Sequence, residues 1–401
     1  MTDPTRDPRF LRDPYPTLAA MRADCPVRPV PAGSGGRTSY VVTGYKEARE
    51  ALHDPRLSKD TAVFFAGKES RRRPHPAVAH TMLASDPPRH TRLRRLVTKA
   101  FTTGAVARLR PFIARVTDEL LDQWHADEPF DFVAGLAVPL PVVVICELLG
   151  VPPHDRGDVQ RWSAELFAAG EPGVIGDASH AMAEYMAGLI DAKRRDPGGS
   201  LLDRLIAARD GEDRLTEEEL VSLAVLLLVA GHETTTHALG NAVLALLRHP
   251  AQLDRLRRDP DDIPGALDEL LRYDSAVSTA TFRFTAEAVT LGGTEVPAGA
   301  PVLVAIGAAN RDPARFPEPD ELDLGRDAAA HLAFGHGIHR CVGAPLAKAE
   351  MEIVLRAVVT RHQHIQLAVG EDQLTWRRTR LVRGLSSLPV LAPRAQAPTT
   401  D

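Results

Sequence analysis

A cysteine in a glycine-rich turn is the residue of this chain best placed to do chemistry. Cys341 stands in Phe334-Gly335-His336-Gly337-Ile338-His339-Arg340-Cys341-Val342-Gly343, and an apolar helical pattern (Pro345, Leu346, Ala347, Met351, Ile353, Val354, Leu355) follows at once. Gly335, Gly337 and Gly343 permit left-handed or bulged backbone and close approach to a flat ligand. A helix opening just after Cys341 brings its free N–H groups and positive dipole end near the sulfur, which favours an anion. The thiol is therefore expected to titrate below its ordinary value of about 8.5. Such a thiolate could be a nucleophile, with His339 as its base, a redox thiol, or a metal ligand. The lack of a second Cys at C-x-x-C distance speaks against a structural zinc site or a dithiol pair. A flat apolar wall of Phe334 and glycines suits a planar cofactor better than an acyl substrate.

Three further clusters have the residue types for chemistry. Ala230-Gly231-His232-Glu233-Thr234-Thr235 falls in the middle of a long apolar helical pattern. A mid-helix Gly costs about 1 kcal/mol relative to Ala, and a Glu in an apolar core costs more unless paired, so something must compensate both. Gly231 would leave a groove beside the helix, and Thr234 can bond back to a carbonyl one turn earlier, loosening the ladder there. Glu269 and Arg272 share a helix face at i, i+3, a spacing that is usually a solvated surface pair worth under about 1 kcal/mol. His90 and Arg94 project together at i, i+4.

The spacing F-G-x-G-x-H-x-C-x-G resembles the haem-binding loop of the cytochrome P450 monooxygenases, and the resemblance runs from roughly residue 11 to residue 389 with the motifs in the family's order. It implies a mainly α fold with a small β-rich part and haem between the long core helix and the helix after the Cys loop. Cys341 would be the axial thiolate ligand of iron, within a loop whose Phe334, His339 and Gly343 adjoin the cofactor. Glu233 and Thr234 would be the acid–alcohol pair of the oxygen pocket, the alcohol bonding dioxygen and the acid relaying protons for O–O cleavage. Glu269 and Arg272 match the structural E-x-x-R, with Arg326 as the third partner. His90, Arg94, Arg283 and His339 match the haem-propionate ligands, a task for which arginine's planar fork is well shaped.

The implied reaction is insertion of one oxygen atom from O2 into a C–H or C=C bond of an apolar substrate. The implied cofactor is haem b, with electrons from NAD(P)H arriving through a ferredoxin and its reductase, since no flavin or iron–sulfur motif is present. Two other readings are a haem-thiolate sensor without turnover and a peroxide-driven oxygenase. The intact Glu233–Thr234 pair argues against both. The wording of the Glu233 stretch and of the loop is similar to actinobacterial enzymes that tailor secondary metabolites such as macrolides. Substrate-facing residues are expected at Leu83, Val229, Ala230, Val277, Ala280 and Ser386, and the small side chains of Ala276, Ser278, Ala280, Ser386 and Ser387 suggest a roomy pocket. A basic face of Arg92, Arg95, Lys99 and Arg340 could dock an acidic electron donor.

Composition bounds the rest. With 401 residues, 44% hydrophobic and 25% charged, the chain has an ordinary soluble profile. A net charge of -5 speaks against nucleic acid. Three scattered cysteines speak against a disulfide framework and for a reducing cytoplasm, with Cys146 a core residue and Cys25 incidental. The polar, proline-rich start is not a signal peptide, and the longest apolar run, Leu223–Ala230, is far below the roughly 18 residues that span a bilayer. Because the motifs fit one site, residues 1–401 are expected to form one domain, with 394–401 a disordered tail.

The elements that must position these groups follow from period and punctuation. A strand is expected at 40–43 and a helix at Tyr45–His53, then a long irregular loop over 58–85 that includes Arg71, Arg72 and Arg73. Asp86-Pro87-Pro88 should cap a helix to about Phe101. Helices follow at about 105–125, 140–149, 153–169 and 177–195, with a break at Glu171-Pro172-Gly173, and a short one at Leu201–Ala208. Thr216-Glu217-Glu218-Glu219 is a capping box opening the longest helix, to about Arg248. Helices at 251–258 and 262–273, strands from Thr281 to Ala309, a proline-rich meander from Asp312 to Arg326, a helix at 344–361 and closing strands complete the chain.

Overall fold

Thr216 starts the helix against which the rest of the fold is laid. Its hydroxyl accepts the Glu219 N–H, and the Glu219 carboxylate accepts the Thr216 N–H, so the helix opens on a closed capping box. It runs unbroken from Glu217 to Arg248 and is buried along most of its length. Among the described residues it is the one helix long and apolar enough to cross a membrane. However, 72% of its most apolar window is inside the protein, as a core helix requires. The computed structural model describes residues 7–32, 37–66, 74–167, 172–209, 215–362, 364–377, 379 and 381–393. The expected basic triplet Arg71–Arg73 and the tail 394–401 lie outside them.

The helices Pro139–Leu149, Pro172–Arg195 and Ala344–Arg361 pack on the core helix, and Thr103–Leu121 packs on the last of these. Their apolar faces merge into one large cluster that includes Leu223, Leu239, Ile145, Met182, Met351 and Val354. A second cluster, around Val42, Leu52, Val302 and Phe316, lies under a mixed sheet. That sheet has the spatial order Val27–Ala32, Arg37–Val42, Pro301–Val304, Arg283–Thr285 and Leu57–Ser58. The central pair, Arg37–Val42 with Pro301–Val304, is parallel and its other pairings are antiparallel. The fold is thus mainly α with a small β part.

The helices at Tyr45–His53 and Glu217–Arg248 have the expected bounds, and the last helix is Ala344–Arg361. Other stretches differ. The 58–85 stretch is not one loop, because short helices form at Thr61–Phe65 and Pro76–Ala79, the first capped by Asp60. Asp86 does not cap the helix Arg89–Thr98, whose N-terminus has no side-chain cap. Its carboxylate turns instead to the Ser58 hydroxyl and the Lys59 N–H. The long helix before Leu201 begins at Pro172, since proline is tolerated in a first turn; Glu171, the first residue of the expected break, lies outside the described residues. Residues Ile306–Ala309 form a helical turn where a strand was expected.

Candidate functional site

The Cys loop is bent by two left-handed glycines, Gly335 (φ 70°) and Gly337 (φ 74°). At Gly337 a side chain is also excluded by space, because a Cβ would stand 2.8 Å from the Leu52 carbonyl oxygen of the helix Tyr45–His53. Gly343 is different. Its φ of -82° is ordinary, and it acts as the N-cap of the helix Ala344–Arg361. The loop closes through the Cys341 N–H donating to the Phe334 carbonyl at 2.8 Å. Phe334 packs on the main core and against the His331 ring. His331 is in turn held by Asp268, 3.0 Å away, which also takes Lys348 of the following helix. The His331 hydrogen bond outweighs burial, and Asp268 titrates at about 2.

Cys341 is solvent-accessible although much protein lies around its sulfur. The N–H groups of Gly343 and Ala344, at the helix start, and the Arg94 charge all favour the thiolate. These do not lower the thiol as expected. Burial is the largest influence and leaves it above its ordinary value. A metal ion removes that obstacle, because a coordinating thiol is deprotonated outright.

Basic groups gather around His339 of the loop. The His90 and His339 rings lie 4.1 Å apart between centroids. His90 is 2% exposed, and neither of its ring nitrogens has a hydrogen-bond partner. Arg94 donates to the Arg340 carbonyl. Arg283 is buried and donates to the Thr281 carbonyl, and burial lowers it to about 10. Lys59, which the sequence reading overlooked, is 2% exposed with its ammonium on the Thr281 hydroxyl. Burial and then Arg283 push it well below the usual lysine range. His339 falls to about 2, from burial first and then the charges of Lys59, His90, Arg283 and Arg94. Asp86 is the single acid among the charges acting on Lys59, His90 and Arg283. A buried basic cluster with one counter-anion and an orphaned imidazole fits a ligand bearing carboxylates, and haem bears two.

The acid–alcohol stretch sits in mid-helix. Thr234 donates to the Ala230 carbonyl at 3.1 Å, yet the helix continues without interruption. Ala230 is exposed and Val229 half-buried on a helix otherwise packed into the core. The expected groove at Gly231 is filled by Ile145. A Cβ there would come within 2.7 Å of that side chain, so Gly231 lets two helices approach closely. Glu233 is buried and paired: its Oε2 accepts from Arg377 at 2.8 Å and lies 3.6 Å from His237 Nε2. Burial pushes Glu233 up, but His237 and Arg377 outweigh it and hold the carboxyl below its ordinary value. His237, four residues on, carried a readable i, i+4 signal; Arg377, 144 positions away, carried none.

Glu269 and Arg272 are both fully buried and joined by two bonds of 2.6 and 2.8 Å, and Arg326 donates to the same carboxylate at 3.1 Å. Leu83 and Val277 are half-buried, Val277 bridged to Val382, while Ala280 packs on the sheet-side cluster and Ser386 is exposed with its N–H on the Thr375 carbonyl. Arg92, expected on the basic face, pairs with the buried Glu219. Cys146 is fully buried, which raises its thiol to about 12.

Comparison with known proteins agrees with this geometry. Residues 177–374 match the family model "Cytochrome P450". Cytochrome P450 107B1 of Saccharopolyspora erythraea is 44% identical over 96% of this chain and 96% of its own length. The mycinamicin IV hydroxylase/epoxidase of Micromonospora griseorubida is 42% identical over 89% of this chain and 90% of its own. The solved structure of the tirandamycin C-bound P450 monooxygenase TamI superposes with a TM-score of 0.89 at 44% identity, covering 96% of this chain and 99% of that one. With relatives this similar along nearly the whole length, and a cysteine loop that leads into a helix start, the chain belongs to the cytochrome P450 family.

Proposed function

We propose that this chain, as one domain, is a haem-thiolate monooxygenase that hydroxylates or epoxidises an apolar secondary metabolite of the macrolide or polyketide kind. The observation that carries the reading is the sulfur of Cys341 at a helix start, where the N–H groups of Gly343 and Ala344 favour an anion, beside a buried basic cluster. The relatives' names support the reaction class, one being a hydroxylase/epoxidase and another a monooxygenase bound to tirandamycin C.

When bound, haem b supplies the iron at which O2 is reduced and split. The residues then have separate tasks. Cys341 would hold the iron, its negative charge stabilised by two N–H groups and Arg94. Lys59, His90, Arg94, Arg283 and His339 would hold the two carboxylates, and the orphaned nitrogens of His90 would gain partners. Thr234 holds its hydroxyl proton against the Ala230 carbonyl and would turn it toward bound dioxygen. Glu233 would carry protons inward at its carboxylate oxygens.

Electrons would come from NAD(P)H through a ferredoxin reductase and a ferredoxin in the cytoplasm, docking near Arg95 and Arg340. The reduced, CO-bound absorption spectrum tests the reading. The parent protein should show the red-shifted band of a thiolate-ligated haem, and Cys341→Ser should lose it. Colourless protein after haem supplementation, or the same spectrum in Cys341→Ser, overturns the assignment.

A further inference from the structure

Arg377 reaches the core helix from a hairpin near the C-terminus. The Trp376–Leu385 bridge, the Arg377 N–H to the Gly384 carbonyl (3.0 Å) and the Ser386 N–H to the Thr375 carbonyl (2.8 Å) fix that hairpin. It lies against His237 at a point where no side chain fits: a Cβ on Gly384 would stand 2.0 Å from His237 Nδ1. Close contact delivers the guanidinium across one helical turn. Its Nη1 donates to Glu233 Oε2 at 2.8 Å and to His237 Nε2 at 3.1 Å.

The groups facing Glu233 among the described residues are three. His232 and His237 come from its own helix, with Nε2 atoms 3.8 and 3.6 Å from its oxygens, and Arg377 comes from the hairpin. A guanidinium stays charged across the pH range in which imidazoles change charge. His232 spends Nδ1 on the Leu228 carbonyl, and its Nε2 has no partner. Arg377 is therefore the one permanent cation on the carboxylate. Its side chain is 24% exposed, against 7% for Glu233, so it also connects the buried acid to the surface. A guanidinium does not give up its proton, so its part is to hold and not to relay.

We propose that Arg377 is a positioning residue for proton delivery: gripping one oxygen of Glu233 from the hairpin, it keeps the acid ionised and aimed, and so sets the pH at which the acid can be loaded for Thr234. This rests on the function proposed above for Glu233 and Thr234. Without Arg377 less of the burial of Glu233 is offset, and the carboxyl takes up its proton at higher pH. Arg377→Lys keeps the charge but loses the fork, so it should fall between Arg377→Gln and the parent.

The test is a pH-difference infrared titration of the resting, haem-loaded protein, with the protonated-carboxyl band assigned by its absence in Glu233→Gln. It is read beside product formed per NAD(P)H across the same pH range. The expected result is that the band appears at higher pH in Arg377→Gln than in the parent, with Arg377→Lys between them, and that the pH range of tight coupling moves the same way. A merely structural hairpin contact would lower the melting temperature and leave both midpoints in place. An unchanged titration in Arg377→Gln, with Glu233→Gln uncoupled, overturns the Arg377 assignment alone. Full coupling in Glu233→Gln overturns this inference together with the proton-delivery part of the proposed function.

Discussion

Removing the Glu269 carboxylate should cost more than any surface change to this protein. That carboxylate is wholly buried and accepts four bonds: two from Arg272, one from the Arg326 guanidinium and one from the Asp323 N–H. Arg272 has no exposed surface either, and its other donors go to the carbonyls of Asn310, Pro319 and Glu321. Glu269→Ala thus leaves a buried guanidinium with neutral acceptors only. Breaking a buried pair in this way costs roughly 3–5 kcal/mol, against about 5–15 kcal/mol for a whole domain. With a urea slope near the upper value of about 3 kcal/mol/M, the unfolding midpoint should fall by about 1–1.7 M. In practice the variant is expected as apoprotein or aggregate, because the meander from Pro317 to Arg326 that precedes the Cys loop loses its anchor. Far-UV circular dichroism in urea, with haem content read alongside, measures this. The double variant Glu269→Leu/Arg272→Leu should lose less than Glu269→Ala alone, since it leaves no unpaired charge at Arg272. Soluble, haem-loaded Glu269→Ala with a midpoint near the parent's would refute the reasoning.

Other outcomes follow from the same structure. Thr234→Ala should keep its haem but release reducing equivalents as peroxide, and product formation still matched to NAD(P)H use would exclude the hydroxyl from proton delivery. Lys59→Met should leave the apoprotein as stable or more so, because a buried cation is gone, while haem transfer to an acceptor protein speeds up by roughly 10- to 100-fold, the equivalent of one charge-assisted bond. Glu350 is buried in the helix after Cys341 with Oε2 unpartnered, and burial raises its carboxyl well above 4.5. The folded chain then holds a proton that the unfolded chain releases, so stability is full below about pH 4.5 and declines as pH rises from there. The slope is at most about 1.4 kcal/mol per pH unit, and Glu350→Gln should remove it from a series of melts across that range.

Periodicity and capping were enough to read the elements that carry the site. The capping box at Thr216, the apolar run behind it and the helical pattern after Cys341 are local features, and local features survive without knowledge of neighbours. The Glu269–Arg272 spacing was equally local. That the pair is buried rather than solvated was settled by the chain segment from Asn310 to Arg326 folding over it. What the reading missed depended on distance or on depth. Lys59 and Arg283 both converge on Thr281, yet Lys59 lies 222 positions before it, and Arg377 reaches Glu233 over 144. Gly231 suggested a groove, but space beside a helix belongs to whichever side chain fills it, here Ile145. Cys341 shows the division most clearly. Residue order alone placed its sulfur at a helix start, where two N–H groups favour the thiolate. Only the packed protein decided that burial outweighs them, because desolvation is a sum over all surrounding atoms and no stretch of sequence contains that sum.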